Sequence, residues 1–172
     1  NRLEEFAQLH RSDVRRDGDI WWLDINDEGA KQLKNEQSAR RVPIHPVLIR
    51  LGFLDYLNNA TSKPGDLVFP ELRPGGPDNK LGYGFSKWFT RYRQEVGVYD
   101  KRLNYHSFRH GVTTKLAAAG VAIEVRNELL GHEGESTDEK VYLKRLPLKL
   151  LADAISKVRW PELARITGDS DT

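Results

Sequence analysis

The 172-residue sequence contains no cysteine and no methionine. Without cysteine there is no disulfide framework, no thiol nucleophile and no thiolate-ligated metal. Without methionine the chain lacks an initiator, so the expectation is a piece of a longer protein. No apolar stretch approaches ~18 residues, the length a membrane-spanning helix needs, and no charged-then-apolar leader opens the chain. Charge of one sign is scarce as well. The 27 Lys and Arg stand against 25 Asp and Glu, a net of +2, and the pI of 8.8 permits nucleic-acid binding without announcing it. What is present is ordinary: 38% hydrophobic and 30% charged residues with a mean hydropathy of −0.62. That is the composition of a soluble globular domain large enough to bury a core, expected in the cytoplasm.

Turn signals and periodicity divide the chain. Leu3, Phe6, Ala7 and Leu9 read as the end of a helix. Asp17-Gly18 is a turn signal before an aromatic, β-branched run at 19–25, which reads as a strand. Residues 40–44 read as a second strand, with Pro43 ending its part in the ladder, and 26–38 as a polar connection or a further irregular strand. A small antiparallel sheet follows. From Pro46 to Leu57 the apolar stripe is helical. Residues 61–80, rich in Pro and Gly, read as a surface loop around Leu67-Val68-Phe69. Further helices are expected at 85–96, at 107–119 before Gly120, at 123–130 before Gly131, and at 148–158. Ser136 to Glu139 fits a capping box, so a short helix is expected to begin there. The fold class is mainly α with a small antiparallel sheet. One domain is expected over 1–160, with a flexible tail at 161–172.

Three short strings carry chemistry. His106-Ser-Phe-Arg109 places an imidazole and a guanidinium at i and i+3, about 5–6 Å apart at Cβ on one helix face. That pair suits a phosphate, because the guanidinium is a planar two-donor fork and the imidazole adds a donor or a proton acceptor. Leu129-Leu130-Gly131-His132 puts a histidine just past a helix end, where a glycine turn aims its side chain. Tyr142 follows ten residues later. Its hydroxyl, with a pKa near ~10, attacks nothing at neutral pH unless cations lower the cost and a base takes the proton. Taken singly, each has a plainer explanation: a solvated arginine, a capping histidine, a core tyrosine.

Order and spacing together are far more specific. The segments YHSFRHGVTTKL (105–116) and ELLGHEGESTDEKVY (128–142) resemble the C-terminal signature of the tyrosine recombinase (phage integrase) family. NRLEEFAQLHRSDV (1–14) is similar to that family's first box, which assigns Arg2 as the first catalytic arginine and Glu5 as a supporting residue. LKNEQSARRVPIHP (33–46) resembles its strand-turn segment, with Lys34 as the catalytic lysine and Lys31 as a competing candidate.

The resemblance spans most of the chain and implies DNA strand cleavage through a 3′-phosphotyrosine, without metal or cofactor. Tyr142 is then the nucleophile, Arg2, Arg109 and His132 the clamp on the phosphate, His106 the general base and Lys34 the general acid. Double-stranded DNA is the implied substrate, and other copies of the chain in a tetrameric synapse are the implied partners. A DNA-binding domain is expected before Asn1, in a parent of bacterial or phage origin. A type IB topoisomerase and an inactive DNA-binding module of the same fold are the alternatives.

Basic residues outside the motifs, among them Arg40, Arg41, Arg91, Lys101, Arg102 and Lys115, fit contacts to the DNA backbone, which position without reading sequence. The five histidines form no H-E-x-x-H string. His106 and His110 have the i, i+4 spacing of a zinc pair, but Arg109 on nearly the same face opposes a dication. The helix at 148–158 is suited either to its own domain or to a neighbouring copy.

Overall fold

A computed structural model describes residues 2–33, 38–61, 63–132 and 145–163, with 166 and 168 besides. Helix α1 (Leu3–Ala7) leads through a 3-10 turn at Arg11–Asp13 into strands β1 (Val14–Asp17) and β2 (Ile20–Ile25). Strand β3 (Arg40–Pro43) completes an antiparallel sheet of order β1-β2-β3. Helices follow: α2 (Pro46–Arg50), α3 (Phe53–Ala60), α4 (Gly82–Glu95), α5 (Tyr105–Ala118), α6 (Ile123–Leu130) and α7 (Leu148–Ser156). The architecture is mainly α with one small sheet, as the sequence implied.

Strand β1 escaped the sequence reading because Val-Arg-Arg-Asp holds one apolar residue in four. It pairs because its cations cover tryptophans. Arg15 lies over Trp22 at 5.7 Å and bonds Asp24 at 3.0 Å, and Arg16 lies over Trp21 at 5.5 Å. Gly18, at φ +56°, supplies the positive φ that a two-residue hairpin turn requires between Asp17 and Ile20. Pro43 does end β3, although Ile44 donates one more bond to the Trp21 carbonyl at 2.8 Å.

The helix expected from Pro46 to Leu57 is two helices. Gly52 adopts φ +87°, closing α2 and opening α3, so the apolar stripe turns a corner. The loop at 61–80 is also more than a surface excursion. Val68 is fully buried and its N–H donates to the Leu9 carbonyl at 2.8 Å, which plugs the loop into the sheet's core. Helix α5 starts earlier than the stripe implies, because Asn104 caps it with a bond from the His106 N–H to Oδ1 at 2.8 Å. Helix α7 stops at Ser156, two residues short of expectation. Beyond it, Pro161–Leu163 forms a 3-10 turn. Most of the expected flexible tail lies outside the described residues, as does the expected capping box at Ser136.

Among the described residues, two apolar clusters hold the fold. Leu9, Val14, Leu23, Ile25, Val42, Ile44, Leu57 and Val68 pack between the sheet, α3 and the plugged loop. Leu116, Val121, Val125, Leu129, Leu151, Ala154 and Val158 join α5, α6 and α7. Helix α7 packs on its own domain, against β3, β2 and α6.

His45 bridges the clusters. Its Nδ1 accepts from the Val47 N–H at 3.1 Å, and its Nε2 lies 2.9 Å from the Val158 carbonyl. Only the neutral ring protonated on Nε2 serves both bonds. Burial lowers the pKa of His45 below its ordinary 6.5, with Arg50 and Arg159 adding to the effect against the Val158 bond. The unfolded chain therefore takes up this proton first as pH falls, and stability is lost on going below about pH 6.5. We expect His45→Asn, which keeps a capping oxygen, to flatten the fall in Tm between pH 7 and 5. A slope as steep as wild type would rule this out. The residual slope belongs to the other histidines with lowered pKa values.

Candidate active site

Arginines from three elements come together: Arg109 on α5, Arg40 on β3 and Arg2 at the start of α1. Arg109 sits in the second turn of α5, only 7% exposed, and its Nη1 is buried with no acceptor among the described residues. Burial lowers its pKa, the nearby Arg40 and Arg2 push the same way, and Glu5 opposes them. A guanidinium stays charged at any physiological pH. The site is thus a fixed positive centre with donor capacity unspent, which is what an incoming anion requires.

Two histidines flank it. His106 lies one turn before Arg109 on α5 and is exposed. Its pKa is lowered, first by desolvation and then by His110, Arg109 and Arg2. His132 follows Gly131, whose φ of +67° closes α6. The His132 N–H bonds the Asn127 carbonyl at 3.0 Å, so a Schellman-type turn fixes the backbone that carries the ring. The pKa of His132 is lowered by burial first, then by Arg109, Arg2 and Arg40. Both imidazoles are therefore neutral near pH 7, one free to accept a proton and the other to donate a hydrogen bond. His106 and His110 meet edge to face with centroids 5.0 Å apart, and among the described residues no third side chain completes a metal-ligand group.

The third wall comes from α1. Arg2 Nη1 donates to Glu5 Oε1 at 3.0 Å and to Ser38 Oγ at 3.1 Å, and the Arg2 N–H donates to Glu5 Oε2 at 2.9 Å. Glu5 is buried, which pushes its pKa up, but the bond and charge of Arg40 and those of Arg2 outweigh burial and leave it lowered. Glu5 is ionised and holds Arg2 in place. The structure thus brings His106 and His132 each within reach of the Arg109 and Arg2 charges. Lys34 and Tyr142 lie outside the described residues.

Arg40 requires a correction. Expected on the DNA-facing rim, it is 2% exposed and donates to Glu5 Oε2 at 2.8 Å and to the Ser38 carbonyl at 2.6 Å. Period-2 alternation carried the signal, because Arg40 shares its strand face with buried Val42. Lys31, the competitor of Lys34, bonds both Asp13 oxygens at 2.8 and 2.9 Å with its side chain 6% exposed. Its ammonium is committed to a buried ion pair. Ser38, fully buried against Arg2, is a site residue that the sequence reading passed over.

Of the remaining basic residues, Arg91, Lys101 and Arg102 are exposed, with Arg102 paired to Asp100 at 2.6 Å. Arg41 donates to the Leu146 carbonyl at 2.9 Å, and Lys115 donates to the Arg159 carbonyl at 2.9 Å over the Trp160 ring.

Residues 1–147 match the model of the family described as the phage integrase family. No curated protein and no solved structure matches the chain.

Proposed function

Because the chain belongs to the phage integrase family, whose members act on DNA, we infer that it cleaves and rejoins DNA strands through a tyrosine ester. The single observation that carries this reading is Arg109, a buried arginine whose Nη1 meets no acceptor among the described residues, beside two neutral histidines.

In the proposed reaction, Tyr142 Oη attacks a backbone phosphorus in line with the bond to the 5′-oxygen. The new Oη–P bond forms as the P–O5′ bond breaks, leaving a 3′-phosphotyrosine and a free 5′-hydroxyl. His106 takes the tyrosine proton and Lys34 gives a proton to the departing oxygen. Arg2, Arg109 and His132 donate to the nonbridging oxygens, where charge develops, and donors already held in place cost no reorganisation during the step. A 5′-hydroxyl from a second strand reverses the chemistry without ATP, because the ester conserves the phosphodiester's energy. Strand exchange then pairs two DNA sites through other copies of the chain. Arg91, Lys101 and Arg102 serve as backbone contacts, which position the duplex without specifying its sequence.

A nicked suicide substrate, from which the 5′-hydroxyl strand diffuses away, tests this. Wild type is expected to accumulate an SDS-resistant protein–DNA adduct, unchanged by EDTA, and Tyr142→Phe to form none. Equal behaviour of the two proteins would sink the enzymatic reading. Loss of the adduct in EDTA would sink the metal-free step alone.

A further inference from the structure

Arg40 does not act on DNA directly, yet it touches three parts of the pocket. From β3 its Nη2 reaches Glu5 on α1 at 2.8 Å, its Nη1 the Ser38 carbonyl at 2.6 Å, and its Nε the Leu129 carbonyl in the last turn of α6 at 3.4 Å. Its guanidinium also lies directly beneath the glycine that precedes His132. A Cβ on Gly131 would meet Arg40 Nη1 at 2.9 Å and Cζ at 3.1 Å. Glu5 in turn divides its two oxygens between Arg40 and Arg2.

We propose that Arg40 is a positioning residue, a buried guanidinium that locks the Arg2-bearing helix to the turn that carries His132. This rests on the phosphotyrosine reading of the site. The two donors, Arg2 and His132, lie far apart along the chain, and the covalent backbone does not by itself fix one relative to the other. Arg40 is one side chain that hydrogen-bonds both sides. Its planar fork addresses several acceptors at once, whereas the ammonium of a lysine is a compact point charge. Charge alone is therefore not enough. Arg40→Lys keeps the cation and loses the geometry.

Two measurements separate positioning from DNA contact: affinity for the suicide substrate across a salt titration, and the single-turnover rate of adduct formation at saturating DNA. Arg40→Lys is expected to bind within about twofold of wild type with the same salt slope. It is expected to form adduct about 10- to 100-fold more slowly, the penalty of a misplacement of about 1 Å. Reduced affinity with a full rate at saturation would make Arg40 a DNA contact and overturn the proposal. Should the lysine variant not fold, the double variant Arg40→Met/Glu5→Gln removes the buried pair together and leaves only the partly exposed Arg2 without its carboxylate. It is expected to fold and to be equally slow, and cleavage at the wild-type rate would overturn the proposal.

If wild type itself forms no adduct, the phosphotyrosine reading has failed, and the lock is read from the His132 imidazole in 15N–1H NMR spectra. Arg40→Lys is expected to shift and broaden that signal. An unchanged signal would refute the lock on its own.

Discussion

Replacing Arg109 with methionine is expected to stabilise the protein while removing most of its cleavage activity. Arg109 is 7% exposed and its buried Nη1 meets no acceptor among the described residues. Arg40 and Arg2 repel it, and Glu5, the carboxylate that partly offsets them, is already bonded to both. Burying such a charge is costly, and replacing buried ionic groups with apolar side chains of similar volume is neutral or stabilising by about 1–4 kcal/mol. At roughly 2–4 °C per kcal/mol for a chain of this size, Tm is expected to rise by several degrees. Cleavage is expected to fall at least about 10²- to 10³-fold, the loss typical of one preorganised oxyanion donor. Scanning calorimetry and single-turnover adduct formation read the two effects separately. A large fall in Tm would instead make Arg109 a structural residue and remove the main support for the functional reading.

Substituting Gly131 by valine is expected to damage both the fold and the site. Its φ of +67° lies in the left-handed region, which costs a β-branched residue roughly 1–2 kcal/mol or more. The added Cβ would also stand 2.9 Å from Arg40 Nη1. The end of an arginine side chain ordinarily swings aside, but this one is held by Glu5, the Ser38 carbonyl and the Leu129 carbonyl. Relief requires α6 to lift from β3 or Arg40 to leave Glu5, and breaking a buried ion pair costs about 3–5 kcal/mol. We expect a Tm lower by roughly 10 °C and adduct formation reduced further than the residual folded fraction explains. Gly131→Asn, which tolerates the left-handed region, is expected to relieve the backbone strain and to retain the clash. Wild-type stability in the valine variant would show that the α6 turn does not depend on Arg40.

Gly120 and Gly131 were legible as helix ends because a helix that must reverse favours the one residue without a Cβ penalty. The H-x-x-R and L-G-H strings were legible because they sit on, or just past, helices whose apolar stripes are clear. Strand β1 was not legible, since Arg15 and Arg16 belong to a sheet only once Trp21 and Trp22 lie beneath them. The break at Gly52 was hidden because the stripe from Leu48 to Leu57 has helical spacing on both sides of the corner.

Sequence alone therefore determined the mainly α character, the small sheet, the family and the spacing of His106, Arg109, His132 and Tyr142. These follow from periodicity and from motif order along the chain. Tertiary structure decided which charges face inward. Arg40, Lys31 and Arg109 are alike in composition, yet one locks two walls of the pocket, one is neutralised by Asp13, and one is left with an unsatisfied donor. That difference lies in groups far removed along the chain, such as Glu5 for Arg40 and Asp13 for Lys31. The energy of a buried charge depends on what surrounds it, and no local pattern records those neighbours.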